Sequence, residues 1–148
     1  MPPQDGLLEA ALNFSSAVLA AVSVASVDHG LSAAQGRLLG ILRTREPRMS
    51  EVADLLGLDK SSVSGLVARA ETKGLVQRME DAGDRRSSRV ALTEEGREAG
   101  TRLAVDLAHR LVPLGSRFST AHRAILAESL NEAAAALRAT DNCAVEEA

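Results

Sequence analysis

At 148 residues, 45% of them hydrophobic and 25% charged, the chain has the size and make-up of one globular domain. Phe14 and Phe118 are its only aromatic residues, so the core must be assembled from Leu, Val, Ala and Ile, and the single cysteine, Cys143, excludes an internal disulfide framework and any Cys-x-x-Cys metal pattern. The net charge of −3 conceals a segregation: residues 60–90 carry seven Lys/Arg against four Asp/Glu, while each flank carries an acidic excess, the pattern expected of a local phosphate-binding face.

In chain order, the first element is an uncharged stretch over residues 10–27, which a signal peptide or a membrane span would also contain. Asp5 and Glu9 precede it without any Lys or Arg, the reverse of a signal n-region, and Asn13, Ser15, Ser16, Ser23 and Ser26 interrupt it. The expectation is a helix over residues 7–28 of a cytoplasmic protein that does not enter a membrane, closed by Gly30. Its apolar residues follow two tracks: Leu8, Leu12, Leu19 and Val22, and Leu7, Phe14, Val18 and Ala25. A helix apolar around most of its circumference is buried on more than one side, and in a chain this short one of those sides is expected to be a second subunit.

Ser32 with Gln35 three residues on forms a capping-box pattern for a second helix, with Leu38, Leu39 and Leu42 as its buried stripe and Pro47 beyond its end. Ser50 is expected to cap a third helix over residues 51–56, broken by Gly57. Asp59 is expected to cap a fourth from Lys60 to about Lys73, where Val63, Leu66, Val67 and Ala70 recur at helical spacing before Gly74. The period then changes. Residues 75–79 and 89–92 read as strands joined by a polar turn over 80–88, a β-hairpin with a charged tip. Thr93 caps a long helix to about Arg117, with Glu94 and Glu95 in its first turn and Pro113 bending it. Ser119 or Thr120 starts a last helix carrying Ile125, Leu126, Leu130 and Leu137, and the tail from residue 141 is expected to be disordered.

Two short helices joined by Gly57-Leu58-Asp59 have the form of a helix-turn-helix, whose second helix enters the major groove. Lys60, Ser61, Ser62 and Ser64 are small or cationic groups able to meet phosphates and base edges, and the helix N-terminus adds backbone N–H groups. The basic hairpin that follows can reach the adjacent minor groove, where arginine is favoured. On these residues the chain resembles the MarR family of bacterial transcriptional regulators. The resemblance runs from Ser50-Glu51-Val52-Ala53 through Asp59-Lys60-Ser61-Ser62-Val63-Ser64 and Lys73-Gly74-Leu75-Val76. It continues to the wing signature, Asp84-Arg85-Arg86 followed by Val90-Ala91-Leu92-Thr93 and Gly96.

The resemblance implies a mainly α (α+β) fold: a winged helix-turn-helix lobe over about residues 32–93, with dimerisation helices over about 6–30 and 94–140. It implies that Ser61, Ser62, Ser64 and Gly65 approach bases, that Arg86 enters the minor groove with Asp84 orienting it, and that Arg85 and Arg89 face the DNA backbone. Many relatives carry a long polar or basic side chain where this chain has Gly65, so direct readout by the helix is expected to be thin. The implied partners are a palindromic duplex, a second copy of the chain, and a small aromatic or lipophilic effector that relieves repression by binding two lobe spacings with different affinity.

Other readings weigh less. Cys143 as a redox sensor lies far from the first helix, where the family's sensors keep their thiol. His29, His109 and His122 form no His-x₃-His or Cys cluster, so neither a metal nor another cofactor is expected. Ser61 lacks the Gly-x-Ser-x-Gly elbow of a nucleophile, and no convergent titratable set points to an enzyme. A winged helix that binds only protein is the alternative, and it would not need Arg85, Arg86 and Arg89 together.

Overall fold

In the computed structural model, which describes residues 3–146 and their side chains from 6 to 139, the chain divides into two units, Met1–Ala108 and His109–Ala148. The first contains α1 (Pro3–Asp28), α2 (Ala33–Leu42), α3 (Met49–Leu56), α4 (Lys60–Thr72), β1 (Val76–Asp81), β2 (Asp84–Leu92) and most of α5 (Glu94–Arg110). The second contains α6 (Val112–Ser116) and α7 (Thr120–Glu146). The fold is mainly α with one two-stranded antiparallel sheet.

The caps explain where the helices begin. At α2 the capping box forms as its residues require: the Gln35 N–H donates to the Ser32 hydroxyl and the Ser32 N–H donates to Gln35 Oε1, each at 3.1 Å. The cap of α3 is Arg48 rather than Ser50, because the Glu51 carboxylate reaches back to accept the Arg48 N–H at 2.6 Å and so fixes the first turn around itself. The single bent helix expected to run to residue 117 is two helices. The first ends at Arg110, and Pro113 lies at the start of α6, where its missing N–H leaves no bond unmade. The hairpin is also longer than expected, since the strands extend to Asp81 and from Asp84 and so take in most of the polar stretch expected to be a turn. The tail from residue 141, expected to be disordered, is drawn within α7 as far as Glu146, and its side chains, Cys143 included, lie outside the described residues.

The core is aliphatic. Leu38, Leu39 and Leu42 of α2 pack with Val52 and Leu56 of α3, Val63, Leu66 and Val67 of α4, Val76, Val90 and Leu92 of the strands, and Leu103 of α5, all buried. Only the end of α1 joins them, through Ala25 and Ser26. Gly36 permits that approach: a Cβ there would lie 1.9 Å from Ser26 Oγ. The rest of α1 leaves much of its apolar surface uncovered by the chain itself: Leu7 is 72% exposed and Leu8, Leu12, Leu19, Val24 and Val27 are also bare.

The Leu-Thr-x-x-Gly motif has a mechanical reading. The Thr93 hydroxyl accepts the Gly96 N–H at 3.0 Å and donates to the Gly74 carbonyl, while the Thr93 N–H donates to the Leu75 carbonyl at 3.1 Å. The start of α5 is thereby pinned to the root of β1. Gly96 is required because a Cβ there would fall 1.8 Å from the Leu75 carbonyl oxygen.

Candidate nucleic-acid interface

The turn between α3 and α4 is built from three local devices. Gly57 takes the left-handed conformation (φ 65°) that ends α3, and the Leu58 N–H donates to the Ala53 carbonyl at 3.0 Å. From α2, Arg37 donates to the Leu56 carbonyl at 3.1 Å, satisfying an orphan acceptor at the end of α3. Asp59 then caps α4 by accepting the Ser62 N–H at 2.9 Å. With Val63, Leu66, Val67 and Ala70 buried, α4 turns Lys60, Ser61, Ser62, Ser64, Ala68 and Arg69 outward, with Gly65 half-buried among them.

The serines are not loose donors. The hydroxyls of Ser61 and Ser62 each donate to the Asp59 carboxylate at 2.6 Å. These bonds, the Ser61 hydroxyl foremost, hold the Asp59 carboxyl well below the usual carboxylate range. The first turn of α4 is therefore already occupied by an anion, and Ser61 and Ser62 present acceptor lone pairs outward.

In the wing, Asp81 pairs with Asp84 around Ala82 and Gly83, while Glu80 pairs with Ser88. The mismatch bulges Arg85, Arg86 and Ser87 out of the ladder, which carries both arginines to the exposed tip. The Asp84 carboxylate accepts the Arg86 backbone N–H at 2.9 Å, so its ordering effect is on the tip backbone. The organising acid of the wing is Asp81, whose side chain is 3% exposed. It accepts from the Gly83 N–H at 3.1 Å, the Ser87 hydroxyl at 3.2 Å, Arg89 Nε at 3.3 Å and Arg48 Nε. The Gly83 N–H foremost, and then the two guanidiniums, press its carboxyl far below the ordinary range against the opposing effect of burial. Arg89 donates as well to the Glu46 carbonyl at 2.8 Å, so it fastens the wing to the segment before α3.

The root of the wing is tied to α4 by Arg78. Its Nε lies 3.3 Å from the Glu71 carboxylate and its Nη2 donates to the Ser64 carbonyl at 3.4 Å. Arg48, Arg78 and Arg89 are thus committed to protein partners, as is Lys73, which donates to Gly30 and Gln35. Lys60 and Arg69 of α4 and Arg85 and Arg86 of the wing have exposed charged groups with no hydrogen bond or ion pair among the described residues. Sequence reasoning missed Asp81 and Arg48 as organisers because their pairing spans 33 residues and leaves no local signal.

Among the described residues no group of three His, Cys, Asp or Glu stands together as a metal-ligand set. His29 Nε2 lies 3.3 Å from an Asp106 carboxylate oxygen, and His122 Nδ1 lies 3.0 Å from the Ser119 hydroxyl.

A helix-turn-helix followed by a two-stranded arm and a helix pinned to its root defines a winged helix-turn-helix protein. The MarR family model matches residues 29–87, from the end of α1 to the wing tip. CouR from Rhodococcus jostii RHA1, solved with p-coumaroyl-CoA bound, is similar at 26% identity over 87% of this chain and 90% of that one, with a TM-score of 0.71. The complex of NadR with 4-hydroxyphenylacetate aligns at 20% identity over 90% and 93% with a TM-score of 0.77. Staphylococcus aureus MepR in its DNA-binding conformation aligns at 20% over 88% and 98% with 0.76. No protein of curated function matches the chain in sequence. Over residues 29–87 the chain is thus similar to the MarR family, and its fold is that of a winged helix-turn-helix protein.

Proposed function

We propose that the protein binds a palindromic duplex as a homodimer and represses transcription until a small aromatic or lipophilic effector binds. Residues 32–93 form the DNA-binding lobe in this reading, and the helices over 6–30 and 94–140 form the dimerisation region. Lys60, Ser61, Ser62, Ser64 and Gly65 line the major groove. Arg86 enters the minor groove from a tip ordered by Asp84, Arg85 meets phosphate, and Arg89 holds the wing in place. It acts in the cytoplasm and catalyses no reaction.

The observation that carries this reading is the division among the cations. Those at the wing root are paired within the protein, whereas Arg85 and Arg86 are bulged outward and unpaired at the exposed wing tip. A duplex supplies the missing anions, and narrow minor grooves favour inserted arginine. The bare leucines of α1 and, separately, Ile125 and Leu137 of α7 at 61% and 70% exposure support a partner of the same chain, because apolar patches of this kind mark interfaces. Although α1 is long and apolar enough to cross a membrane, its last turns pack into the lobe through Ala25 and Ser26, which favours the subunit contact. The phenol rings of p-coumaroyl-CoA and 4-hydroxyphenylacetate in two structural neighbours support an aromatic effector.

Selection of duplexes from a randomised library by the purified protein tests the reading. The expected product is an inverted repeat with half-sites about one helical turn apart, bound with affinity that falls steeply with salt. Recovery of no preferred sequence at low ionic strength would overturn it.

A further inference from the structure

Gly65 stands opposite the buried stripe of α4, at the centre of the face offered to the groove, and has no side chain to offer. The space over it is filled from one turn further on. A Cβ at Gly65 would lie 3.1 Å from Nη1 and 3.9 Å from Cζ of Arg69. Long helical side chains lean toward the N-terminus, so an arginine four residues on covers the glycine. The glycine in turn lets the guanidinium lie close to the helix at the midline of the exposed face.

The neighbouring groups sharpen the assignment. Ser61, one turn before Gly65 on the same face, spends its hydroxyl proton on Asp59, as does Ser62. Arg78 is held by Glu71 and Ser64. Arg69 has no such partner among the described residues, and unlike Lys60, the other unpaired cation of α4, it lies over Gly65 rather than at the helix start. A guanidinium presents its donors in a planar fork that matches the O6 and N7 acceptors of guanine in the major groove. A phosphate contact would call for a cation at the edge of the helix, where the strands of the duplex pass, rather than one laid along its midline.

We infer that Arg69, seated over Gly65, is the specificity-determining residue of α4 and that it selects guanine. The inference rests on the DNA-binding reading proposed above and supplies the base contact that glycine cannot make.

The test takes the duplex selected by the full-length protein and a series in which each base pair of one half-site is replaced. The unaltered protein is expected to prefer guanine at one position by about tenfold. Arg69→Ala is expected to bind the selected duplex and the one lacking that guanine equally. Arg69→Lys is expected to retain overall affinity while losing part of the preference. Gly65→Gln, which displaces the guanidinium, is expected to change the preferred base. Arg69 is exposed and unpaired, so its variants are expected to melt where the unaltered protein does. If Arg69→Ala weakens every duplex evenly and lowers the salt slope by about one, the residue is a phosphate contact and the inference fails. It fails too if the preference survives unchanged in Arg69→Ala, with the DNA-binding reading then left standing. Failure of the unaltered protein to select any sequence would overturn both.

Discussion

The winged helix-turn-helix lobe and the terminal helices handle apolar surface in opposite ways. In the lobe, helices of eight to thirteen residues bury nearly every large aliphatic side chain, and the exposed positions are charged, polar or small. In α1, a 26-residue helix, Leu7, Leu8, Leu12 and Leu19 all stay bare and burial is confined to Ala25 and Ser26, and α7 likewise leaves Ile125 and Leu137 exposed. A helix buries its apolar surface only where a neighbour is supplied, and the lobe supplies its own. The contrast separates a region whose sequence is satisfied within one chain from regions whose sequence presupposes another surface.

The largest expected effect breaks the self-sufficient side. Leu38 is fully buried at the meeting point of the lobe helices, so Leu38→Ala is expected to cost about 2–5 kcal/mol in chemical denaturation. A loss below 1 kcal/mol would show that the lobe is not held by this core. Next comes the incomplete side. Leu12 is 57% exposed, and its burial in the proposed dimer would contribute about 1.5–3 kcal/mol per chain. Leu12→Ser is therefore expected to shift sedimentation equilibrium toward monomer at micromolar concentration. An unchanged mass would remove α1 from the dimer interface. Smaller again, and confined to binding, Arg86→Ala is expected to weaken affinity for the selected duplex by about 1–3 kcal/mol without moving the melting temperature. Retained affinity in a gel-shift titration would take the wing tip out of the mechanism.

What the sequence disclosed follows the same division by range. Signals within about four residues were legible: the Ser32–Gln35 box, the Asp59 cap, Gly57 at the turn, and the aliphatic spacing of α2 and α4. The wing motif was legible as a pattern, but its mechanism was not, because Thr93 and Gly96 act on the carbonyls of Gly74 and Leu75 some twenty residues earlier. For the acid beside the wing arginines, the local pattern points to Asp84, their immediate neighbour. The acid that carries the wing is Asp81, whose partners include Arg48 from before α3, and neither hydropathy nor periodicity marks such a pair. The i, i+4 relation of Gly65 and Arg69 is local as well, but a glycine taken by itself carries no sign of the side chain that covers it.

The buried carboxylate of Asp81 also gives the lobe a definite pH dependence. Its folded pKa lies well below the ordinary value of 3.8, so the ionised group contributes stability that is fully present above that value and is lost as the pH falls toward the folded pKa. The sign follows from proton uptake: below the ordinary value the unfolded chain binds a proton that the folded lobe refuses. Asp59 is depressed in the same direction and adds to the acid sensitivity from the other end of the interface. Asp81→Asn keeps the shape and removes the charge from Arg48 and Arg89. That variant is expected to be less stable at neutral pH and to lose stability more gradually than the unaltered protein below about pH 4. Parallel acid-unfolding curves for the two proteins would mean that the wing acid is spectator to folding, with the two arginines held by the Gly83 turn and the Glu46 carbonyl instead.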